Sequence, residues 1–245
     1  MNLCRASVKY MSGPISAVGV TEARPADRRV GGGSRPTTAL HDLRVAPIPV
    51  RVAKTLLVPH HYLHSIPGGT LLAFGVFVGA KLLGSLTLGA GPMNAHRLVA
   101  GAVREDAITL TRFWLDDKLP RNSESRVLGI VLRSLRRHTT LRFVLTYADP
   151  SANHVGTVYM AGGWLYVGLS EATPLYDLGD GVARHSRTVA HAYGTHSLKH
   201  FARHGVDVRV VPQASKHRYV YPLDPTVRQR LTVRVLPNPK REDPS

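Results

Sequence analysis

The apolar run from Leu71 to Met93 constrains the fold more than any other stretch of this sequence. It is long enough to cross a bilayer as a helix. Lys81 stands near its centre, however, and glycines interrupt it at 75, 79, 84, 89 and 91. A lysine at mid-membrane costs about 2.5–3.5 kcal/mol on insertion scales. Gly79-Ala80-Lys81 divides the run into two apolar arms, so it reads as a soluble hairpin of strands at 71–78 and 82–88. The N-terminus also lacks the long apolar core of a secretory signal. No membrane partner is expected.

Downstream, the apolar period switches between two and 3.6. Residues 107–115 (AITLTRFWL) are rich in β-branched and aromatic side chains and predict a strand. Leu128, Val131, Leu132 and Leu135 fall at i, i+3, i+4 and i+7, which predicts a helix over 123–138. Asn122 or Ser123 is placed to cap it. A strand is expected at 141–147. A short helix should then start at Asp149-Pro150 and stop at Gly162-Gly163, followed by a strand at 165–169. A more polar unit with strands at 206–211 and 217–221 completes the pattern. Strand, strand, strand, helix, strand, helix, strand implies an α/β domain with a mixed central sheet and flanking helices. We assign one domain to 45–237, preceded by a poorly ordered Gly-rich leader (1–44) and followed by a polar tail (238–245).

The 245 residues include 32 Lys and Arg against 16 Asp and Glu, a net charge of +16. Such an excess calls for an anionic partner: nucleic acid, an anionic membrane or a phosphorylated cofactor. Hydrophobic residues at 43% exclude wholesale disorder. Cys4 is the only cysteine, so neither an intramolecular disulfide nor a cysteine-based zinc site can form.

Four segments concentrate reactive groups. His60-His61-Tyr62 with His64 offers a general base, a metal ligand or a stacking ring, against the plainer reading of a surface loop after Pro59. Arg112 precedes Pro120-Arg121-Asn122-Ser123-Glu124-Ser125-Arg126, a loop entering a helix. Free N–H groups there, with Ser125 and Arg126, suit a phosphate, although an ordinary capped helix explains the same residues. Asp149 lies at the end of a strand, where α/β sheets bind ligands, but Asp before Pro is also a good N-cap. Tyr159, one turn before Gly162-Gly163, can protonate a leaving thiolate or simply fill the core; Trp164 reads as core.

Two family resemblances rest on these segments. The order of elements over 71–170, with Tyr159-x-x-x-Gly163-Trp164, resembles the GNAT fold of acyl-CoA-dependent N-acyltransferases. The chain departs from that family's R/Q-x-x-G-x-G/A glycine pattern, carrying Arg121 to Arg126 in its place. From about Pro47 to Leu223, four runs in order (HYLHSIP, LTRFWLDDKLPRNSESRVLG, YADPSANHVGTVYMAGGW and YGTHSLKHFARHGVDVRVVPQASKHRYVYPL) resemble the Mom family of phage DNA-modification proteins. That resemblance implies a GNAT-like enzyme acting on double-stranded DNA in the cytoplasm of an infected bacterium. It would convert the exocyclic amine of adenine to a carbamoylmethyl (acetamido) derivative and so protect phage DNA from restriction. His61, Tyr62, Asp149 and Tyr159 match its catalytic positions, and Arg112 and Ser125 match its acyl-CoA pocket, with Arg126 beside them. Acetyl-CoA or a related acyl donor is implied, together with a possible metal ion such as iron, for which His61 and Asp149 would be the ligands. The competing expectations are a conventional acyl-CoA-dependent N-acetyltransferase and a non-catalytic DNA-binding protein using Arg209, Lys216, His217 and Arg218.

Overall fold

A computed structural model describes residues 42–240 except Thr173, and the side chain of Arg187 is also outside the description. The expected leader falls almost wholly outside these residues, as does the end of the expected tail. The first strand, β1 (Leu43–Pro47), starts two residues before the expected domain boundary at Val45. It pairs antiparallel with β2 (Thr70–Val78), which forms a hairpin with β3 (Lys81–Gly89). Val78 pairs with Lys81 across a two-residue turn, and Gly79 takes the left-handed φ of +57° that the turn requires. The 71–93 run is therefore a hairpin. Among the described residues no helix is long and apolar enough to cross a membrane.

The main sheet continues through β4 (Ala107–Leu115), β5 (Phe143–Ala148) and β6 (Leu165–Leu169), and ends with β10 (His217–Pro222) inserted between β5 and β6. Its order is β1-β2-β3-β4-β5-β10-β6; β4 and β5 run parallel and every other neighbouring pair is antiparallel. The architecture is α/β with a mixed central sheet, as the apolar pattern implies.

Helices cover both faces. α2 (Ser123–His138) buries Val127, Leu128, Val131, Leu132 and Leu135 against Phe74, Val76, Leu86, Leu88 and Val144. Each such side chain contributes roughly 1.5–3 kcal/mol. On β2, alternation sends Ala73 the other way, onto Ala53 and Leu57 of α1 (Val50–His60). Farther along that face, Phe143, Leu145 and Val220 pack beneath Leu98, Val99 and Val227, contributed by 3-10 turns and their flanks.

The expectations missed α1. Pro49 is its N-cap and Pro59 falls in its last turn, where one lost hydrogen bond is tolerated. The single helix expected from Asp149 to Gly162 is instead a 3-10 turn (Pro150–Ala152) and α3 (Thr157–Ala161). Asn153 (φ 56°) and Gly156 (φ 83°) take left-handed conformations that end one and precede the other. A Cβ on Gly156 would stand 2.6 Å from the Tyr219 ring, so only glycine lets the chain pass there.

Between β6 and β10 lies an insertion with its own sheet, β7 (Leu175–Asp177), β8 (Arg184–His185) and β9 (Arg209–Val211), in the order β8-β7-β9, and two helices, α4 (Ser186–Tyr193) and α5 (Leu198–Arg203). Only β9 was expected, as the longer strand 206–211. The neck of the insertion is closed by the Ser170 N–H donating to the Lys216 carbonyl (2.8 Å) and the Lys216 N–H donating to Ser170 Oγ (3.0 Å).

Candidate active site

The cavity arises from a failure of strand pairing. β4 and β5 pair from Ala107↔Phe143 to Leu110↔Thr146, then separate although both strands continue. The cause lies on the other side of β4. There Thr87 pairs with Arg112 and Leu88 with Leu110, which leaves Thr111 as an extra residue. Thr111 Oγ1 donates to the Thr87 carbonyl (3.1 Å) and fixes this bulge. A bulge bends its strand, and here it turns β4 away from β5 at the carboxyl ends of a parallel pair, the end at which α/β sheets hold ligands. The resulting cavity measures about 840 Å³.

The cavity gathers His61, Tyr62, Arg112, Ser125, Asp149 and Tyr159 from four separate stretches of chain. Arg126 is not part of it; it points to solvent one position along α2. A helix advances 100° per residue, and the step from Ser125 to Arg126 turns the side chain off the cavity wall.

His61 follows α1, its N–H donating to the Leu57 carbonyl (3.0 Å). It is buried, and its Nδ1 accepts the Leu63 N–H (3.1 Å). Burial, with lesser contributions from Arg112, His154 and His64, pulls its pKa down to about 4. The ring is therefore neutral at pH 7, with its lone pair on Nδ1 committed and its proton on Nε2. This is the protonation of a hydrogen-bond donor, whereas the sequence left a general base, a metal ligand and a stacking ring open. Tyr62 stacks on His61 (centroids 4.6 Å apart) and remains 45% exposed. Burial and then the Asp149 charge raise its pKa. Arg112 organises the same loop: Nε donates to the Ser65 carbonyl (2.7 Å) and Nη2 to Ser65 Oγ (3.2 Å), while Nη1 reaches the Thr111 carbonyl (2.7 Å).

Asp149 combines both of its sequence readings. As the cap of the following turn, its Oδ1 accepts from Ser151 N–H (3.1 Å) and Ser151 Oγ (2.6 Å). Its Oδ2 pairs with Lys216 Nζ at 2.8 Å. Burial raises its pKa, but the bonds from Lys216 and Ser151 outweigh that and hold it below the usual carboxylate range. No hydrogen bond joins Asp149 to His61 among the described residues, so Asp149 does not orient the imidazole directly. Lys216 was expected only on a DNA-binding surface; it reaches Asp149 through the β10–β5 register, in which His217 lies opposite Ala148.

Tyr159 sits where the two strands part. Burial raises its pKa, partly offset by a hydrogen bond with the Thr146 hydroxyl, and Thr146 in turn donates to the Leu110 carbonyl at the last paired position (3.3 Å). Its ring packs between Trp164 and Tyr219, and Trp164 is core as expected. His154, unassigned by the sequence reading, lies in the cavity wall with its ring 5.5 Å from that of Tyr62.

The start of α2 forms the opposite wall. Neither expected cap operates: Asn122 makes no side-chain cap, and the Ser123 hydroxyl donates back to the Pro120 carbonyl (2.6 Å). The Glu124 and Ser125 amides find no acceptor among the described residues, and both residues line the cavity. Uncapped amides at the positive end of a helix attract anionic oxygens.

The expected metal ion does not fit this arrangement. His61 Nδ1 and both Asp149 oxygens are already bonded, and no group of three or more His, Cys, Asp or Glu side chains converges among the described residues. Three of the four residues expected to form a DNA-binding surface are also engaged within the protein. Lys216 pairs with Asp149, His217 bonds the Tyr166 hydroxyl and Arg218 donates to the Val167 carbonyl.

Among solved structures, the chain is similar to an N-acetyltransferase from Staphylococcus aureus (12% identity, TM-score 0.42, covering 74% of this chain and 97% of that one). It is also similar to FeeM, an N-acyl amino acid synthase from uncultured soil microbes (15% identity, TM-score 0.43, covering 78% and 95%). It is 31% identical over 223 residues to the methylcarbamoylase Mom of Escherichia phage Mu, spanning 86% of this chain and 87% of that protein. The Mom protein family model matches residues 42–240, the span that holds the whole sheet and the cavity. On that match and that identity, the chain belongs to the Mom protein family.

Proposed function

We propose that this protein is a transferase that modifies adenine in phage DNA, placing a carbamoylmethyl group on the exocyclic amine. The observation that carries the reading is the cavity between the splayed strands, where a neutral His61, the Tyr62 ring and the Tyr159 phenol face the uncapped start of α2. Similarity to a methylcarbamoylase supports the group transferred, and the net charge of +16 suits a polyanionic substrate.

Adenine's amine is buried in the duplex, so the base must leave the stack, at a cost of a few kcal/mol. The half-exposed Tyr62 ring offers it a stacking surface. His61 presents Nε2–H as a donor to a ring nitrogen or a developing oxyanion. Tyr159, kept protonated by burial, supplies the proton for a leaving group. The open amides of Glu124 and Ser125, with Ser125 Oγ, would receive the phosphates of an acyl-CoA-type donor, and Arg112 holds the His61–Tyr62 loop in place. A carbamoylmethyl group is joined to nitrogen through its CH2 carbon. Direct attack of the amine on the acetyl-CoA carbonyl would give an acetamide instead, so a donor that carries the carbamoylmethyl group and acetyl-CoA leave different products. Such a modification would shield phage DNA from restriction in the host cytoplasm.

Mass spectrometry of nucleosides from DNA of bacteria producing the chain tests the reading. A carbamoylmethyl adenine is expected, together with resistance of that DNA to endonucleases that have adenine in their sites. Unmodified adenine would overturn it. An acetylated small amine or protein in its place would favour a conventional N-acetyltransferase.

A further inference from the structure

The proposed transfer needs a group to take the proton of the attacking amine, and His61 is not set up for it because its Nδ1 is bonded to the Leu63 amide. His154 has what His61 lacks. It is exposed in the cavity wall, and neither of its ring nitrogens has a hydrogen-bond partner among the described residues. Its ring stands 5.5 Å from Tyr62, tilted by 52°. Its backbone is fixed by the bond from its N–H to the Asp149 carbonyl (3.1 Å), directly after the left-handed Asn153. The other imidazoles nearby are placed differently. His64 Nδ1 is bonded to the Val58 carbonyl (3.0 Å). His60 lies face to face on Trp114 (4.4 Å, 12°).

We propose that His154 is the general base of the adenine modification, accepting the proton that the exocyclic amine loses as its nitrogen attacks. The inference rests on the function proposed above. The donor is of the class X–CH2–CO–NH2, with X a thiol-type leaving group. The amine lone pair forms the new N–C bond, the C–X bond breaks with its electron pair leaving on X, one amine hydrogen passes to His154 as a proton, and Tyr159 O–H protonates X. Proton return from His154 to Tyr159 through solvent restores both side chains, and H–X is the net by-product. Tyr62 and His61 from the end of α1 face the imidazole, and Arg112 from β4 and Asp149 after β5, paired with Lys216 next to β10, line the same cavity.

The test uses extracts of bacteria producing the full-length chain, supplied with duplex DNA, with modified adenine counted by mass spectrometry. His154→Gly and His154→Gln should each lower the rate by roughly a hundredfold or more, the usual share of a general base, and added imidazole should restore part of the rate in His154→Gly. Because the side chain is exposed, both variants should keep the wild-type circular dichroism. If His154→Gly does not fold, the rate of His154→Gln decides. Wild-type rates in either folded variant would overturn the assignment, as would a loss in His154→Gly that imidazole leaves unchanged. Unmodified DNA from the wild-type chain would overturn the functional reading, and this inference with it, whereas a failure of the variants alone leaves that reading standing.

Discussion

His61 and Asp149 are equally hidden from solvent, each 7% exposed, yet the two loops that carry them treat charge in opposite ways. The loop after α1 gives His61 an amide donor and surrounds it with Arg112 and other histidines, so the neutral ring is favoured. The loop after β5 gives Asp149 two bonds from Ser151 and the ammonium of Lys216, so the ion is favoured. Burial penalises charge in both places, and the partners decide the outcome. The difference gives one cavity a neutral donor and a fixed negative charge at the same pH.

The comparison breaks most visibly if Lys216 is removed. Lys216→Met leaves a buried carboxylate with Ser151 alone, and losing one member of such a pair costs about 3–5 kcal/mol. Asp149's carboxyl should then titrate at higher pH. Because its pKa in the fold lies below the unfolded value, it stabilises the fold above the unfolded pKa, and that contribution disappears as pH falls. Urea unfolding of Lys216→Met should show the deficit at pH 7, and Asp149→Asn combined with Lys216→Met should recover much of it. A single variant as stable as the wild type would mean that the pair adds nothing to the fold.

The His61 loop responds to acid earlier. Its pKa is lowered from 6.5 to about 4, so between these values the unfolded chain binds a proton that the fold refuses. Stability should therefore fall as pH drops through that window, and the loss is complete below about 4. Full conversion of the shift is discounted for solvent entering the cavity, which leaves about 2 kcal/mol. Unfolding curves of wild type and His61→Gln should converge as pH falls from 7 to 4.5. Parallel curves would show that His61 is as easily protonated in the fold as in the unfolded chain.

These two loops also mark how far the sequence could be read. The hairpin over 71–88, the helix Ser123–His138 and the strands Ala107–Leu115 and Leu165–Leu169 were legible because their apolar period is local. The motif runs brought His61, Tyr62, Arg112, Ser125, Asp149 and Tyr159 into one list, and one cavity contains them all. What each side chain does there depends on pairings that periodicity does not encode. Lys216 meets Asp149 from 67 residues away through strand register, and His61 is spent on an amide two residues ahead in a turn whose geometry no spacing reveals. The bulge at Thr111 that opens the cavity is hidden for the same reason, since an extra residue in a strand leaves its apolar composition unchanged. In the insertion, α4 and α5 are too short and polar to give a clear period.

The smallest expected effect asks whether the two loops are held independently. Arg112 binds Ser65 through both its backbone carbonyl and its hydroxyl, and it makes no hydrogen bond to the Asp149 loop among the described residues. Arg112→Lys keeps a positive charge but replaces a planar fork with a single ammonium, which cannot reproduce three directed bonds. The expected cost is about 0.5–1.5 kcal/mol, that of one ordinary hydrogen bond, because the bonds to Ser65 are exposed. It should be local: amide exchange at 61–66 should quicken, while exchange at 149–156, fixed by Ser151, Lys216 and the bond from the Tyr219 hydroxyl to the Val155 carbonyl, should stay as it is. Faster exchange in both segments would mean that the cavity walls are mechanically one unit. The opposite charge preferences of His61 and Asp149 would then be set jointly rather than loop by loop.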